Sequence, residues 1–133
     1  MTPLRLLFAE DNEDIREIVK LFLQTILPAD SYTLTLVEDG GAALTHLRAH
    51  STDVAFLDLS MPVLDGWTLA ATIKADPALA KTILIAVTAH VMEKDRKRAV
   101  EVGFDDFLKK PIYPETLQEV LERHVGSRGQ GAA

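Results

Sequence analysis

Residues 53–66 read Asp-Val-Ala-Phe-Leu-Asp-Leu-Ser-Met-Pro-Val-Leu-Asp-Gly. The first half of this stretch is a short, mostly apolar run, which predicts a strand buried on both faces of a sheet. The second half, from Ser60 to Gly66, has a proline and a glycine as turn residues and predicts a loop. Asp58 lies where the apolar run stops, and an unpaired carboxylate there would cost several kcal/mol of desolvation unless another group compensates it.

Short apolar runs and segments of helical spacing alternate on both sides of this stretch. The apolar runs predict five strands, at residues 4–9, 32–37, 53–59, 82–88 and 104–109. Helical spacing predicts one helix between an Asn12 cap and Pro28 and four more at 42–49, 67–74, 93–102 and 115–125. This alternation is typical of a doubly wound α/β fold, so we expect five helices around one parallel five-stranded sheet.

The composition is that of a soluble, acidic protein with a single domain. The chain has 133 residues, 47% of them hydrophobic, a formal net charge of −6 and no cysteine. The excess of acid argues against a nucleic-acid partner, and no run reaches the ~20 apolar residues of a membrane helix. The lack of cysteine excludes disulfides and thiolate metal sites and fits a cytoplasmic protein. We expect one domain over residues 1–125 and a disordered tail over residues 126–133.

Charged and hydroxyl side chains follow four of the five predicted strands. Because ligands of open α/β sheets bind outside the carboxyl ends of the strands, we expect these groups to share one crevice. Carboxylates without His or Cys suit a hard cation such as Mg²⁺, while ammonium and hydroxyl groups suit the oxygens of a phosphoryl group. The pattern predicts a phosphoryl site in which Asp58 is the nucleophile. In chain order the groups are Glu10-Asp11, Asp58, Thr88 and Lys109-Lys110.

Each of these residues also has an ordinary structural interpretation. An acidic pair after a strand is commonly a helix cap, so Glu10-Asp11 alone indicates capping as readily as metal binding. A threonine at a strand end usually bonds to backbone, and an isolated lysine is usually solvated. The chain has neither a GxxxxGKS/T nor a GxGxxG motif, so a nucleotide is not expected as the ligand. The combination of groups, rather than any single one, favours the phosphoryl site.

Four stretches, found in order across residues 4–125, resemble the receiver domain of two-component response regulators. The resemblance implies a flavodoxin-like fold with strand order 2-1-3-4-5. The resemblance leaves two kinds of receiver open, a single-domain receiver like the chemotaxis regulator or the receiver of a hybrid histidine kinase. The stretches are LLFAEDNED at 6–14, FLDLSMPVLDG at 56–66, IAVTAH at 85–90 and GFDDFLKKPI at 103–112.

The resemblance implies the residues that carry out the phosphoryl chemistry. Asp58 matches the phosphoaccepting aspartate of the family, and Thr88 matches the switch hydroxyl that turns toward the phosphoryl group. Lys110 matches the family lysine because Pro111 follows it, whereas Lys109 does not fit that spacing. The bond between Lys110 and Pro111 is expected to be cis, as in the family.

The resemblance also implies a magnesium site. Asp11 is expected to bind Mg²⁺ directly, together with Asp58 and the backbone carbonyl of Ser60. Glu10 stands where an aspartate is commoner, and its longer side chain is expected to act through water. Ser60 and His90 lie two positions beyond the acceptor and the switch threonine, where relatives control the loss of the phosphoryl group to water. A plain exposed polar residue is the alternative for His90.

The implied function is a phosphoacceptor signalling domain. It would take a phosphoryl group from a histidine kinase or histidine phosphotransfer protein and catalyse only its own phosphorylation and dephosphorylation, so it is not expected to be an enzyme in the usual sense. Phosphorylation would shift Thr88 and the aromatic Phe107, and so change a surface made of the fourth helix, fifth strand and fifth helix. A downstream protein target would read that surface. We expect a monomer or weak homodimer with no membrane partner.

Two other functions remain open on the sequence. A pseudo-receiver would keep the fold and signal by binding alone, although every expected acid, the threonine and the lysine are present. A phosphohydrolase of the haloacid-dehalogenase type also uses an aspartate at a strand end. That family has a second aspartate two residues later, where this chain has Ser60.

Overall fold

In the computed structural model, which describes residues 2–89 and 92–125, five strands alternate with five α-helices. The strands are β1 (Leu4–Ala9), β2 (Tyr32–Val37), β3 (Val54–Asp58), β4 (Ile83–Thr88) and β5 (Asp106–Lys109). The helices are α1 (Glu13–Ile26), α2 (Gly40–Ala49), α3 (Gly66–Ala75), α4 (Glu93–Val102) and α5 (Pro114–Val125). The strands are all parallel in the order β2-β1-β3-β4-β5, which confirms the predicted fold class and strand order. The predicted tail at 126–133 lies outside the described residues.

The sheet is covered on both faces, each by its own hydrophobic cluster. Leu47 of α2, Ile73 of α3 and Ala99 of α4 pack on one face, and Val19 of α1 and Leu117 of α5 pack on the other. Strand side chains alternate between the two clusters, which explains why the strands are nearly continuous apolar runs in the sequence. Within the described ranges, no helix combines the length and apolarity needed to cross a bilayer.

Polar side chains define where three of the helices begin. The helix caps are Asn12, Asp39 and Asp65, whose side-chain oxygens accept from the backbone N–H three residues later. The predicted start of α2 at residue 42 is wrong. The Asp39 side chain accepts from the Ala42 N–H, and the helix therefore begins at Gly40, two residues earlier than expected. The glycine pair therefore forms the first turn of the helix instead of a break before it.

The fifth strand is shorter than the sequence predicts. Residues 104 and 105 were expected in the strand, but β5 begins at Asp106. Phe104 N–H turns back to the Ala99 carbonyl at the end of α4, where Gly103 adopts a φ of 107°. The Asp105 side chain accepts from the Leu84 N–H at 2.8 Å, so a carboxylate replaces the backbone acceptor that a longer strand would have offered to β4.

Gly40 marks a close approach between α2 and the loop that follows β3. A Cβ atom built on Gly40 would overlap the carbonyl oxygen of Leu64, which is backbone and cannot swing away. We expect Gly40→Ala to lower the free energy of unfolding by about 3 kcal/mol, despite the better helix propensity of alanine. The midpoint of urea unfolding, at an unchanged slope, measures the effect.

Gly41→Ala is the matched control for this prediction. It makes the same chemical change one residue later in the same helical turn. Its Cβ would lie 3.2 Å from Asp39 Oδ1 and 3.2 Å from Cγ1 of Val63, a side chain that is 83% exposed and free to move. We expect this variant to stay within about 1 kcal/mol of the wild type. Equal losses in the two variants would contradict the steric explanation.

Candidate functional site

The strand register brings the predicted residues to one edge of the sheet. Ala9 of β1 pairs with Leu57 of β3, so Glu10 follows β1 beside Asp58 at the end of β3. On the other side of β3, Thr88 ends β4, and its carbonyl accepts from the Lys110 N–H at 2.9 Å. The carboxyl ends of the four strands therefore form one crevice, as expected for an open α/β sheet.

Three carboxylates meet in this crevice. Oxygen atoms of Glu10, Asp11 and Asp58 lie within 4.8 Å of one another. Glu10 is fully buried and Asp58 is 4% exposed, whereas Asp11 is open to solvent. Like charges held so close in a poorly hydrated place repel one another, and the cluster therefore requires positive charge nearby.

Lys110 supplies one such charge. Its Nζ donates to Asp58 Oδ2 at 2.8 Å and lies 2.6 Å from Glu10 Oε1. Burial tends to lower the pKa of Lys110, but the hydrogen bond to Asp58 and the negative charges of Asp58 and Glu10 outweigh it and raise that pKa. The ammonium group therefore stays protonated between the two acids. Lys109, the alternative on the sequence, is exposed, and the peptide bond from Lys110 to Pro111 is cis as predicted.

Glu10 is only partly satisfied by these contacts. Its Oε2 accepts from the Asn12 N–H at 3.1 Å, but Oε1 meets Lys110 at ion-pair distance without hydrogen-bond geometry. Burial of the carboxyl raises the pKa of Glu10 to about 7, although the Lys110 and Asn12 contacts work in the opposite direction. Oε1 therefore has an ion-pair partner but no hydrogen bond in the described part of the chain, and it can still accept one from a water molecule.

The donor set suits a hard divalent cation. All three side chains offer oxygen atoms, and neither sulfur nor imidazole is part of the cluster. One carboxylate is exposed and two are buried, so a cation could enter from solvent at Asp11 while neutralising charge deeper in the crevice. The residues present therefore fit a metal of this class.

Asp58 is held in place by the loop that follows it. Its Oδ1 accepts from the Ser60 N–H at 2.9 Å, while Oδ2 faces Lys110. The loop returns so closely that a Cβ on Gly66 would lie 2.6 Å from the carbonyl oxygen of Asp58. Gly66, predicted only as a turn residue, therefore allows α3 to begin directly behind the aspartate.

The two predicted switch residues lie near the crevice but belong to different surroundings. Thr88 is half-buried at the end of β4. Phe107 lies within β5, opposite Ala86, and packs partly buried against the cluster under α2, α3 and α4. The guanidinium of Arg96 from α4 lies 5.3 Å from the centre of the Phe107 ring. His90, also considered on the sequence, lies outside the described residues.

Arg16 is a contributor that the sequence analysis missed. Its Nη1 donates to the carbonyl oxygen of Glu10 at 2.8 Å and so ties α1 to the end of β1. Sequence spacing does not reveal this contact, because it joins an arginine side chain of α1 to a backbone carbonyl at the end of β1. Arg16 thus holds the backbone that carries Glu10 and Asp11.

Comparison with known sequences gives one consistent family. A family model described as "Response regulator receiver domain" matches residues 6–122. The chain is 32% identical over 132 residues to hybrid signal transduction histidine kinase I of Dictyostelium discoideum, covering 94% of this chain and 7% of the relative. It is 35% identical over 109 residues to response regulator GtcR of Aneurinibacillus migulanus, covering 82% of this chain and 42% of the relative. The chain thus spans less than half of either relative.

Solved structures agree with this result. Chemotaxis response regulator CheY4 of Vibrio cholerae is 27% identical with a TM-score of 0.84, over 93% of this chain and 100% of that one. The receiver domain of sensor histidine kinase PA1611 from Pseudomonas aeruginosa, with a magnesium ion coordinated in its active site cleft, is 30% identical with a TM-score of 0.82, over 95% and 100%. The yeast Ssk1 receiver domain, crystallised with the histidine phosphotransfer protein Ypd1, shares the fold at 23% identity and a TM-score of 0.82, over 96% of this chain and 92% of that one.

Proposed function

The chain belongs to the response regulator receiver domain family, and we propose that it is the phosphoacceptor of a two-component phosphorelay. The proposal assigns Asp58 as the acceptor and a phosphohistidine as the donor. The observation that carries it is the pairing of Asp58 and Lys110 at 2.8 Å in a crevice with two further carboxylates. A pseudo-receiver would have no use for that combination of charges, of which Glu10 and Asp58 are buried and therefore costly to keep.

The transfer reaction needs little beyond positioning and charge neutralisation. A carboxylate oxygen of Asp58 attacks phosphorus, the P–N bond to the donor imidazole breaks, and the imidazole nitrogen keeps the electron pair and takes up a proton. Lys110 already contacts the attacking carboxylate, and its ammonium group can also stabilise the negative charge of the phosphoryl oxygens during the transfer. Water later cleaves the acyl phosphate and releases inorganic phosphate, so the protein modifies only itself.

The metal of this site is proposed to be Mg²⁺. Asp11, Asp58 and the Ser60 carbonyl would bind it directly. Glu10 would contact it indirectly, through a bound water molecule. Bound there, Mg²⁺ supplies charge neutralisation for the phosphoryl oxygens. The carboxylate cluster supports this assignment, and the PA1611 receiver has a magnesium ion coordinated in its own active site cleft.

Asp11→Asn tests the metal site directly. We expect the affinity for Mg²⁺ to fall at least about tenfold, because the variant removes the charged ligand that faces solvent. Asp14→Asn is the matched control, since Asp14 is also an exposed acid, three residues further on and outside the carboxylate cluster. Isothermal titration with MgCl₂ measures both variants. An unchanged affinity in Asp11→Asn would show that the ligand assignment is wrong.

The partner and the output follow from the same proposal. A histidine kinase or a histidine phosphotransfer protein would donate the phosphoryl group, as the Ypd1–Ssk1 complex illustrates for another receiver. Phosphorylation at Asp58 would draw Thr88 toward the new charge and move Phe107, which Arg96 now covers. The surface of α4, β5 and α5 would change for a protein target, and we propose that the signalling takes place in the cytoplasm.

The proposed function is tested by incubating the protein with acetyl phosphate, with and without Mg²⁺. We expect the intact mass to rise by one phosphoryl group when Mg²⁺ is present and to stay unchanged in excess EDTA. The gain should decay over time as water cleaves the acyl phosphate. If no mass gain appears with this donor or with a phosphorylated histidine phosphotransfer protein, the pseudo-receiver function replaces the phosphoacceptor function.

A further inference from the structure

A cavity of about 680 Å³ opens at the amino ends of the strands, on the edge of the sheet opposite Asp58. It is bounded by the start of β1, the loop between α2 and β3, the loop between α3 and β4, and the end of α5. Its volume is in the range of sites for small molecules. The ionisable side chains that line it are Arg5, Arg48, His50, Asp53, Lys81 and His124.

The charge of this lining is opposite to that of the whole chain. It holds three permanent cations against one carboxylate, whereas the protein carries a net charge of −6. Asp53 offsets one of these positive charges through its contacts with Arg5, whose Nη2 lies 3.1 Å from Oδ1 and whose backbone N–H donates to Oδ2 at 2.8 Å. Two full positive charges therefore remain at the cavity, before any protonation of His50 or His124.

Arg48 and Lys81 provide these two charges. Both are exposed, and neither side chain makes a hydrogen bond or ion pair among residues 2–89 and 92–125. Arg48 lies in the last turn of α2, where a cation also suits the helix dipole. Lys81 comes from a loop and Arg5 from a strand, so the helix dipole does not account for their gathering around the same cavity.

Polar residues suited to hydrogen bonding an anion line the same cavity. The loop residues Ser51 and Thr52 line the cavity, and the exposed Ser51 side chain forms no hydrogen bond within the described ranges. The loop continues into Asp53, which is fixed by its contacts to Arg5. Asp53 and Arg5 are thus fixed by each other, while Arg48, Lys81 and Ser51 remain available to contact a ligand.

We propose that this cavity binds a small molecule with two or more negative charges, a phosphate ester or a polycarboxylate. Guanidinium and ammonium groups bind such anions through charge-assisted hydrogen bonds. A concave site favours a small ligand over a flat macromolecular surface. The site is separate from the phosphoacceptor crevice, so the proposal does not depend on the function of Asp58.

The test is a titration of the ¹⁵N-labelled protein without Mg²⁺, using pyrophosphate in one arm and citrate in the other. We expect saturable shifts of the amide signals of Ser51, Thr52 and Lys81 in at least one arm, and the arm that binds tighter identifies the ligand class. Arg48→Ala and Lys81→Ala should each weaken binding about tenfold, since each removes one charge-assisted contact. Added KCl should weaken binding in the wild type.

Lys20→Ala is the matched control, because Lys20 is an exposed cation of α1 that does not line this cavity. The Lys20→Ala variant should bind pyrophosphate and citrate with the same affinity as the wild type. The proposal is overturned if neither probe gives saturable shifts at about 10 mM, tenfold above a Kd of 1 mM. It is also overturned if the shifts map to Glu10 and Lys110, or if all three lysine and arginine variants bind equally well.

Discussion

Asp58→Asn protein is expected to incorporate no phosphoryl group from acetyl phosphate and Mg²⁺, under conditions in which the wild type incorporates one. An amide cannot act as the anionic nucleophile that forms the acyl phosphate. The variant keeps the size of the side chain and an oxygen for the Ser60 N–H, which Asp58 now holds at 2.9 Å. The loss should therefore arise from the chemistry while the fold is retained, and intact-protein mass measures it.

Asp30→Asn is the control for this result. Asp30 is exposed in the short turn after α1 and has no place in the carboxylate cluster, so the variant should gain mass like the wild type. Circular dichroism of both variants shows whether the fold is retained. A phosphoryl group that persists in folded Asp58→Asn protein would place the acceptor at another residue and reject the assignment.

Lys110→Met should slow phosphorylation about 10²–10³-fold while leaving Asp58 available as an acceptor. Methionine keeps much of the length of the side chain but removes the ammonium that lies 2.8 Å from Asp58 and 2.6 Å from Glu10. The estimate is the usual cost of removing one group that stabilises transition-state charge. The initial rate of mass gain at fixed acetyl phosphate and Mg²⁺ measures the effect.

A second readout follows from the electrostatics of the cluster. The Lys110 contact lowers the pKa of Glu10 against the larger effect of burial. Without the ammonium, that pKa should rise further above about 7, so Glu10 stays protonated to higher pH in the metal-free variant. Carboxyl ¹³C shifts followed through a pH titration measure this change, which a general loss of structure would not produce.

Lys109→Met is the matched control, since it makes the same change in the neighbouring lysine. Lys109 is exposed at the end of β5, outside the contacts of the crevice described above. The phosphorylation rate of this variant should stay within about twofold of the wild-type rate, because solvent screens the charge of an exposed lysine. Equal rates in the two methionine variants would contradict the role assigned to Lys110.

The sequence alone predicted the fold well because its signals are local. Buried parallel strands must be apolar on both faces. The strand β4 can therefore be predicted from the apolar run at residues 83–87, Ile-Leu-Ile-Ala-Val, without reference to the neighbouring strands. The end of each run then marks the edge of the sheet where Glu10, Asp58 and Thr88 lie. Errors arose where a side chain changed the local hydrogen bonding, as Asp39 did for the start of α2 and Asp105 for the start of β5.

The contacts inside the site could be decided only by the tertiary structure. Asp58 and Lys110 are 52 positions apart, and their meeting depends on strand register and side-chain direction together. The same holds for the Arg16 bond to the Glu10 carbonyl and for the unsatisfied Glu10 Oε1. Arg48 and Lys81, ordinary surface residues in the sequence, gather at one cavity for this reason too. Apolar periodicity is a property of a single segment, so the fold and the edge of the sheet that carries the site could be predicted from the sequence. A contact between charged side chains is a property of packed segments, so only the tertiary structure shows which charges meet.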